Sequence, residues 1–267
     1  MAPLKSLLLG ASLATLALST PLATDAENLY ARQFGTGSTA NELEQGSCKD
    51  VTLIFARGST ELGNMGTVIG PPLCDNLKSK LGSDKVACQG VGGQYSAGLV
   101  QNALPQNTDP GSISAAKQMF EEANSKCPNT KIVAGGYRCW GNSQGSAVID
   151  NAVQELSTTV KDQVKGVVLF GFTRNVQDHG QIPNYPKDDV KVYCAVGDLV
   201  CDDTLVVTAM HLTYGMDAGD AASFLAEKVQ SSSSSTTSSS SDAASSSSAA
   251  GTSSSGLSGL SSFFGGL

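Results

Sequence analysis

Five short apolar, β-branched runs punctuate the chain, each bounded by glycine, proline or charge. They are DVTLIFA (50–56), KVACQGV (85–91), KIVAGGY (131–137), GVVLFG (166–171) and VKVYCAV (190–196). Runs without polar alternation predict strands covered on both faces, as in a parallel sheet. Between them the apolar positions switch to helical spacing. Pro71 and Pro72 open a segment whose Leu73, Leu77 and Leu81 share one face, and Gly82 closes it. Ala115, Ala116, Met119, Phe120 and Ala123 form a second stripe, stopped before Pro128, and Val148, Ile149, Ala152, Val153 and Leu156 a third. A fourth stripe, Ala221, Phe224, Leu225 and Val229, follows Asp220 as its candidate cap. Strands alternating with helices predict a three-layer α/β fold around a central, mostly parallel five-stranded sheet. In such sheets reactive residues collect at the carboxyl ends of the strands.

Both ends of the chain fall outside this pattern. Lys5 precedes an apolar run, Leu7 to Ser19, too short to span a bilayer, so residues 1–19 are expected to be a secretory signal peptide. Residues 20–32, polar and ending in Arg32, form a candidate propeptide. From Ser231 the serine- and threonine-rich sequence lacks side chains large enough to offset the entropy of ordering it. Residues 231–267 are therefore expected to be a disordered, O-glycosylated tail. Their last stretch, GLSGLSSFFGGL, is more interrupted than a glycolipid-anchor signal requires. One domain of ordinary size, 33–230, remains.

A net charge of −7 argues against nucleic acid or an anionic membrane as partner. With two histidines, His179 and His211, a zinc-hydrolase centre is not expected, and no metal or cofactor is assigned. The chain is expected to act as a monomer, without a transmembrane segment. Seven cysteines behind a signal peptide point to disulfides. Spacing does not fix their connectivity. The local pairs Cys74–Cys88 and Cys194–Cys201 are the first guesses, which leaves Cys48–Cys127 and an unpaired Cys139.

Gly141-Asn142-Ser143-Gln144-Gly145 is a G-x-S-x-G, the pattern of a serine lifted off a strand end as a nucleophile. With 29 glycines in 267 residues, chance alone supplies about half such a match, so context decides its weight. Ser143 has a predicted strand behind it and a helix ahead, which would leave the Gln144 N–H free to meet an oxyanion. The partners should follow in the order serine, acid, histidine. His211, between apolar neighbours in TAMHLTYG, suits the base, whereas His179 lies in a polar, proline-rich loop and reads as a solvated surface residue. Asp198 is the best acid, because a Cys194–Cys201 loop would hold it and adds about 2.5 kcal/mol on a chain-entropy estimate. Asp202 and Asp203 are its rivals. Ser59, just past the first strand in FARGST, offers a second oxyanion donor through its N–H and hydroxyl.

Taken together, FARGST, QNALP, IVAGGY…SQGSAV, IPNYP, GDLVC and HLTYG resemble, in order, the fungal cutinases, small secreted serine esterases of α/β-hydrolase fold without a large lid. The resemblance implies Ser143 as nucleophile, Asp198 as acid and His211 as base, with Ser59 and Gln144 as the oxyanion hole. It implies that Asn102 steadies the Ser59 hydroxyl, and that Leu99, Leu205, Val207 and Leu212 form an apolar rim for an acyl chain. It also implies the bridges Cys48–Cys127 and Cys194–Cys201, with Cys74–Cys88 as the extra bridge of some members. The expected function is a secreted carboxylic-ester hydrolase acting on cutin-like polyesters or other lipid-like esters. The alternatives are an acetyl-polysaccharide esterase of the same fold and a catalytically impaired surface protein.

One departure stands out. Family members read G-Y-S-Q-G, and removing Arg138-Cys139-Trp140-Gly141-Asn142 restores Gly136-Tyr137-Ser143-Gln144-Gly145. An insertion beside a nucleophile either bulges outward or displaces the serine, and an ångström of displacement costs about a hundredfold in rate. A third origin is fifteen nucleotides retained at a splice junction, which sequencing the transcript across Tyr137–Ser143 would detect.

Overall fold

A computed structural model of the chain describes residues 37–138, 144–172, 174–194 and 214–238. The strands are β1 (Val51–Ala56), β2 (Val86–Gly90), β3 (Lys131–Tyr137), β4 (Val164–Phe170) and β5 (Val190–Tyr193). They form one five-stranded sheet in the order β2-β1-β3-β4-β5, with every pairing parallel. The helices are α1 (Glu42–Gln45), α2 (Gly70–Leu81), α3 (Pro110–Lys126), α4 (Gly145–Glu155), α5 (Thr158–Lys161) and α6 (Ala218–Ser238). Each of the five apolar runs is thus a strand, within a residue or two at its ends; the last ends at Tyr193, and its remainder from 195 lies outside the described residues.

Alternate residues of a strand project to opposite faces, which splits the core in two. Leu53, Phe55, Val133 and Val168 meet Leu73 and Leu77 of α2 and Leu225 and Val229 of α6. On the other face Ile54, Ile132, Ala134 and Val167 meet Ile113, Ala116 and Phe120 of α3 and Val148, Ile149 and Ala152 of α4. Prolines in the first turn open α2 and α3, and Asp109 caps α3 by accepting from the Ser112 N–H at 3.0 Å. The final helix departs from expectation at both ends. It starts at Ala218, which puts Asp220 in its first turn rather than at its cap, because Asp220 is engaged with β5 through Lys191 and Tyr193. It also runs on through the serines to Ser238, past the boundary that composition suggests. Once a helix is docked, each further residue costs far less than a nucleus.

Cys48–Cys127 and Cys74–Cys88 are bridged, the first tying the approach to β1 to the end of α3 and the second tying α2 to β2. Cys194 is also disulfide-bonded; Cys201, its expected partner, and Cys139 lie outside the described residues. No helix among the described residues is long and apolar enough to cross a membrane.

Candidate active site

Neighbouring strands β1 and β3 send their connections in opposite directions. After β1 the chain turns to α2 and β2 on one side, and after β3 to α4 and β4 on the other. A crevice opens at the carboxyl ends of two such strands. Ser59 follows β1 and Gln144 follows β3, so both expected oxyanion donors stand at this switch point.

The elbow between β3 and α4 depends on two glycines. A Cβ on Gly136 would overlap the Gly145 carbonyl, and one on Gly145 would overlap the carbonyl oxygens of Ala56 and Tyr137. Strand end and helix start are therefore pressed backbone to backbone. Gln144 is the N-cap of α4, so its N–H precedes the helical hydrogen-bond ladder, at the positive end of the helix dipole. Its side chain is fully buried. Nε2 donates to the Gly98 carbonyl at 2.6 Å and to Gln101 Oε1 at 3.3 Å, while Oε1 accepts from the Thr108 hydroxyl at 2.8 Å.

Ser59, also fully buried, donates its hydroxyl to the same Gly98 carbonyl at 3.1 Å. One carbonyl oxygen thereby holds together the residues that lead out of β1 and β3. Asn102 joins it, donating Nδ2 to Gly98 at 3.3 Å and to the Leu99 carbonyl at 2.9 Å. Its link to Ser59 thus runs through a shared acceptor, and its own Oδ1 is buried with no hydrogen-bond partner among the described residues. The loop carrying Ser59 is braced by Glu61. That carboxylate accepts from the N–H groups of Gly58 at 2.7 Å, Thr67 at 2.9 Å and Val68 at 3.0 Å. Thr60 and Ala97 both have positive φ, 66° and 52°, and the Thr60 N–H donates to the Ala97 carbonyl at 3.0 Å. Two strained, non-glycine residues joined where the β1 and β2 loops meet indicate a backbone held for a purpose.

Leu99 lies 46% exposed beside a 3-10 turn, Val100–Ala103, on the loop after β2. That loop is pinned from the α4 side: the Asn151 amide donates to Gln106 O at 3.2 Å, and the Arg174 guanidinium to Pro105 O at 3.3 Å. Arg174 also pairs with Asp178 at 2.7 Å and with Asp150 of α4 at 3.3 Å. Burial raises the Asp150 carboxyl to about 7, Asp178 adding to the rise while the Gln154 hydrogen bond and Arg174 oppose it. The ion pair and the raised value pull in opposite directions. Burial prevails, because Arg174 is already matched by the closer Asp178 and the trio holds two carboxylates for one cation.

Ser143, Asp198, His211, Leu205, Val207 and Leu212 lie outside the described residues. Arg138, first of the five residues expected to be an insertion, is described. Its N–H donates to the Phe170 carbonyl at 3.0 Å and its side chain is buried, so the β3–β4 ladder continues one residue past Tyr137. The other four, Cys139, Trp140, Gly141 and Asn142, lie outside as well. His179 is exposed on a turn with φ 53°. The bracing roles of Gly98, Thr108 and Glu61 escaped sequence reasoning: a backbone carbonyl has no sequence signal, and Glu61 is hinted at only by its place just after FARGST.

The family model described as Cutinase matches residues 47–229. The chain belongs to the cutinase family. Its relatives include Probable cutinase 1 of Aspergillus niger, 98% identical over 267 residues and all of both chains. Cutinase 3 of Emericella nidulans is 65% identical over 219 residues, covering 82% of this chain and 96% of that protein. Among solved structures, a Trichoderma reesei cutinase in complex with a phosphonate inhibitor superposes with a TM-score of 0.63 at 35% identity, over 78% of this chain and 87% of that one. An acetyl xylan esterase shares the fold alone, with a TM-score of 0.55 at 19% identity over 68% of this chain and 100% of that one. This member of the family is accordingly a serine esterase of α/β-hydrolase fold.

Proposed function

We propose that the chain is a secreted, monomeric carboxylic-ester hydrolase that cleaves cutin-like polyesters through Ser143, His211 and Asp198. In this reading Ser143 attacks the ester carbonyl while His211 takes its proton and Asp198 orients the imidazole. The N–H groups of Ser59 and Gln144 receive the oxyanion, with the Ser59 hydroxyl beside them. Water then releases the acyl group by the same route.

The observation that carries the polyester reading is the distribution of exposed apolar side chains. Leu62 follows β1, Leu99, Val100 and Leu104 follow β2, Val176 follows β4, and Met216 leads into α6. These six, among the described residues, thus stand on segments that leave the carboxyl edge of the sheet, as do Ser59 and Gln144. Val100 and Met216 are 83% and 80% exposed, a cost that a waxy, water-poor substrate offsets and a hydrated acetyl-polysaccharide does not.

Ser143→Ala is expected to lower turnover by about 10⁶ on a p-nitrophenyl ester. Full activity in that variant refutes the assignment. A rate that peaks on acetate and vanishes beyond butyrate favours the acetyl-polysaccharide alternative.

A further inference from the structure

Gln144 stands at the head of α4, and the loop after β2 holds its side-chain amide at both ends. Nε2 donates to the Gly98 carbonyl at 2.6 Å and to Gln101 Oε1 at 3.3 Å, and Oε1 accepts from the Thr108 hydroxyl at 2.8 Å. A backbone carbonyl only accepts, so the amide must turn its NH2 end to Gly98 and its oxygen to Thr108. The Thr108 hydroxyl is the donor that this orientation requires. Gln144 and Thr108 are both buried, so bulk water is not at hand to replace a lost partner. Thr108 is itself fixed in place. Asn107 before it has φ 54° and donates its N–H to the Leu104 carbonyl at 2.8 Å, and Asp109 after it caps α3. The Gly98 carbonyl then joins this amide to the connection leaving β1, because it also accepts from the Ser59 hydroxyl at 3.1 Å.

We propose that Thr108 is a positioning residue for the esterase reaction: its hydroxyl fixes the Gln144 amide, and with it the placement of Gln144 relative to Ser59. The inference rests on the oxyanion role proposed above for those two residues. Valine has the shape of threonine without the donor. In Thr108→Val, Gln144 Oε1 either stays buried without a partner or turns away and breaks the tie to Gly98. Either way the fastening between the β1 and β3 connections loosens. Oxyanion donors act by being aimed before the charge develops, so the loss falls on turnover and not on substrate affinity.

The test is steady-state hydrolysis of p-nitrophenyl butyrate by the full chain carrying Thr108→Val, Thr108→Ser, Gln144→Leu, or Thr108→Val together with Gln144→Leu. Removing an oxyanion donor outright costs about a hundredfold or more in kcat, so a donor left in place but poorly aimed should lose about tenfold. Thr108→Val is therefore expected to lose about tenfold in kcat with KM within about twofold of the parent. Thr108→Ser, which keeps the hydroxyl, should stay within about threefold. Because Thr108 acts through the Gln144 amide, Gln144→Leu should lose about as much, and adding Thr108→Val to it should change kcat by less than about twofold. Any of four results overturns the proposal: an unimpaired kcat in Thr108→Val, a KM that rises in step with the loss, a Thr108→Ser as impaired as the valine variant, or losses that multiply in the double variant. Should Thr108→Val fail to fold, Gln144→Leu carries the test: a loss of about tenfold in kcat at constant KM supports the proposal, and an unchanged kcat overturns it. Ser143→Ala, run alongside, separates the two ideas. Full activity in it refutes the nucleophile and this proposal together, whereas its inactivity beside an unimpaired Thr108→Val refutes the role of Thr108 alone.

Discussion

Raising the pH from 4 to 7.5 is expected to weaken the wild-type fold relative to Asp150→Asn. Asp150 lies on α4 with its side chain fully out of solvent, accepting from Gln154 at 2.9 Å and facing an Arg174 already held by Asp178. In the unfolded chain its carboxyl ionises around its ordinary value of 3.8; in the fold, burial holds the proton up to about 7. Between those values the folded state binds more protons than the unfolded one, so stability falls as pH rises. Below about 4 the group is neutral in both states and costs nothing. Above about 7 it is charged in both, and the fold carries the whole desolvation penalty. The rise from 3.8 to about 7 converts to about 4 kcal/mol. Asparagine cannot ionise, and any mismatch of its amide with Arg174 adds a constant offset without changing the slope. Urea unfolding of both proteins at intervals across this range measures the difference directly. Asp150→Asn should gain on the wild type by about 4 kcal/mol from pH 4 to 7.5. A difference that stays flat refutes the reasoning, and one that runs the other way means that the pairing with Arg174 outweighs burial.

Two further outcomes follow from the structure. The Cys48–Cys127 bridge closes 79 residues and Cys74–Cys88 closes 14; replacing each pair by serine should cost about 4.5 and about 3 kcal/mol in urea unfolding, so equal losses would contradict the loop-length argument. Val100→Asp with Leu104→Asp, on the exposed loop after β2, should cut hydrolysis of an insoluble polyester film by about tenfold while leaving p-nitrophenyl butyrate turnover within about twofold. Parallel losses on both substrates would deny that these side chains meet a surface.

Much of the fold was legible because its signals are local. The unbroken apolar runs could only be doubly covered strands, and Pro71-Pro72 with Gly82 marked both ends of α2 to within a residue. That Ser59 and Gln144 lie on the connections leaving β1 and β3 was legible from that strand pattern. The bracing around them was not. Gly98 acts through its carbonyl, and Thr108 acts on a residue 36 positions away; neither leaves a periodicity. The end of α6 was misjudged for a different reason. Serine is a modest helix former, so composition argues for coil, while a helix already docked on β4 and α2 extends at little cost.

The contact between Gly136 and Gly145 has a consequence for how this chain tolerates change in length. Arg138 is fixed on one side by the carbonyl of Phe170, and Gln144 on the other by Gly98 and Thr108. Neither the sheet nor Ser59 and Gln144 need shift when the length of chain between those two fastenings changes. The elbow behaves like a clasp whose two halves are riveted independently: the link joining them can lengthen while the frame keeps its dimensions.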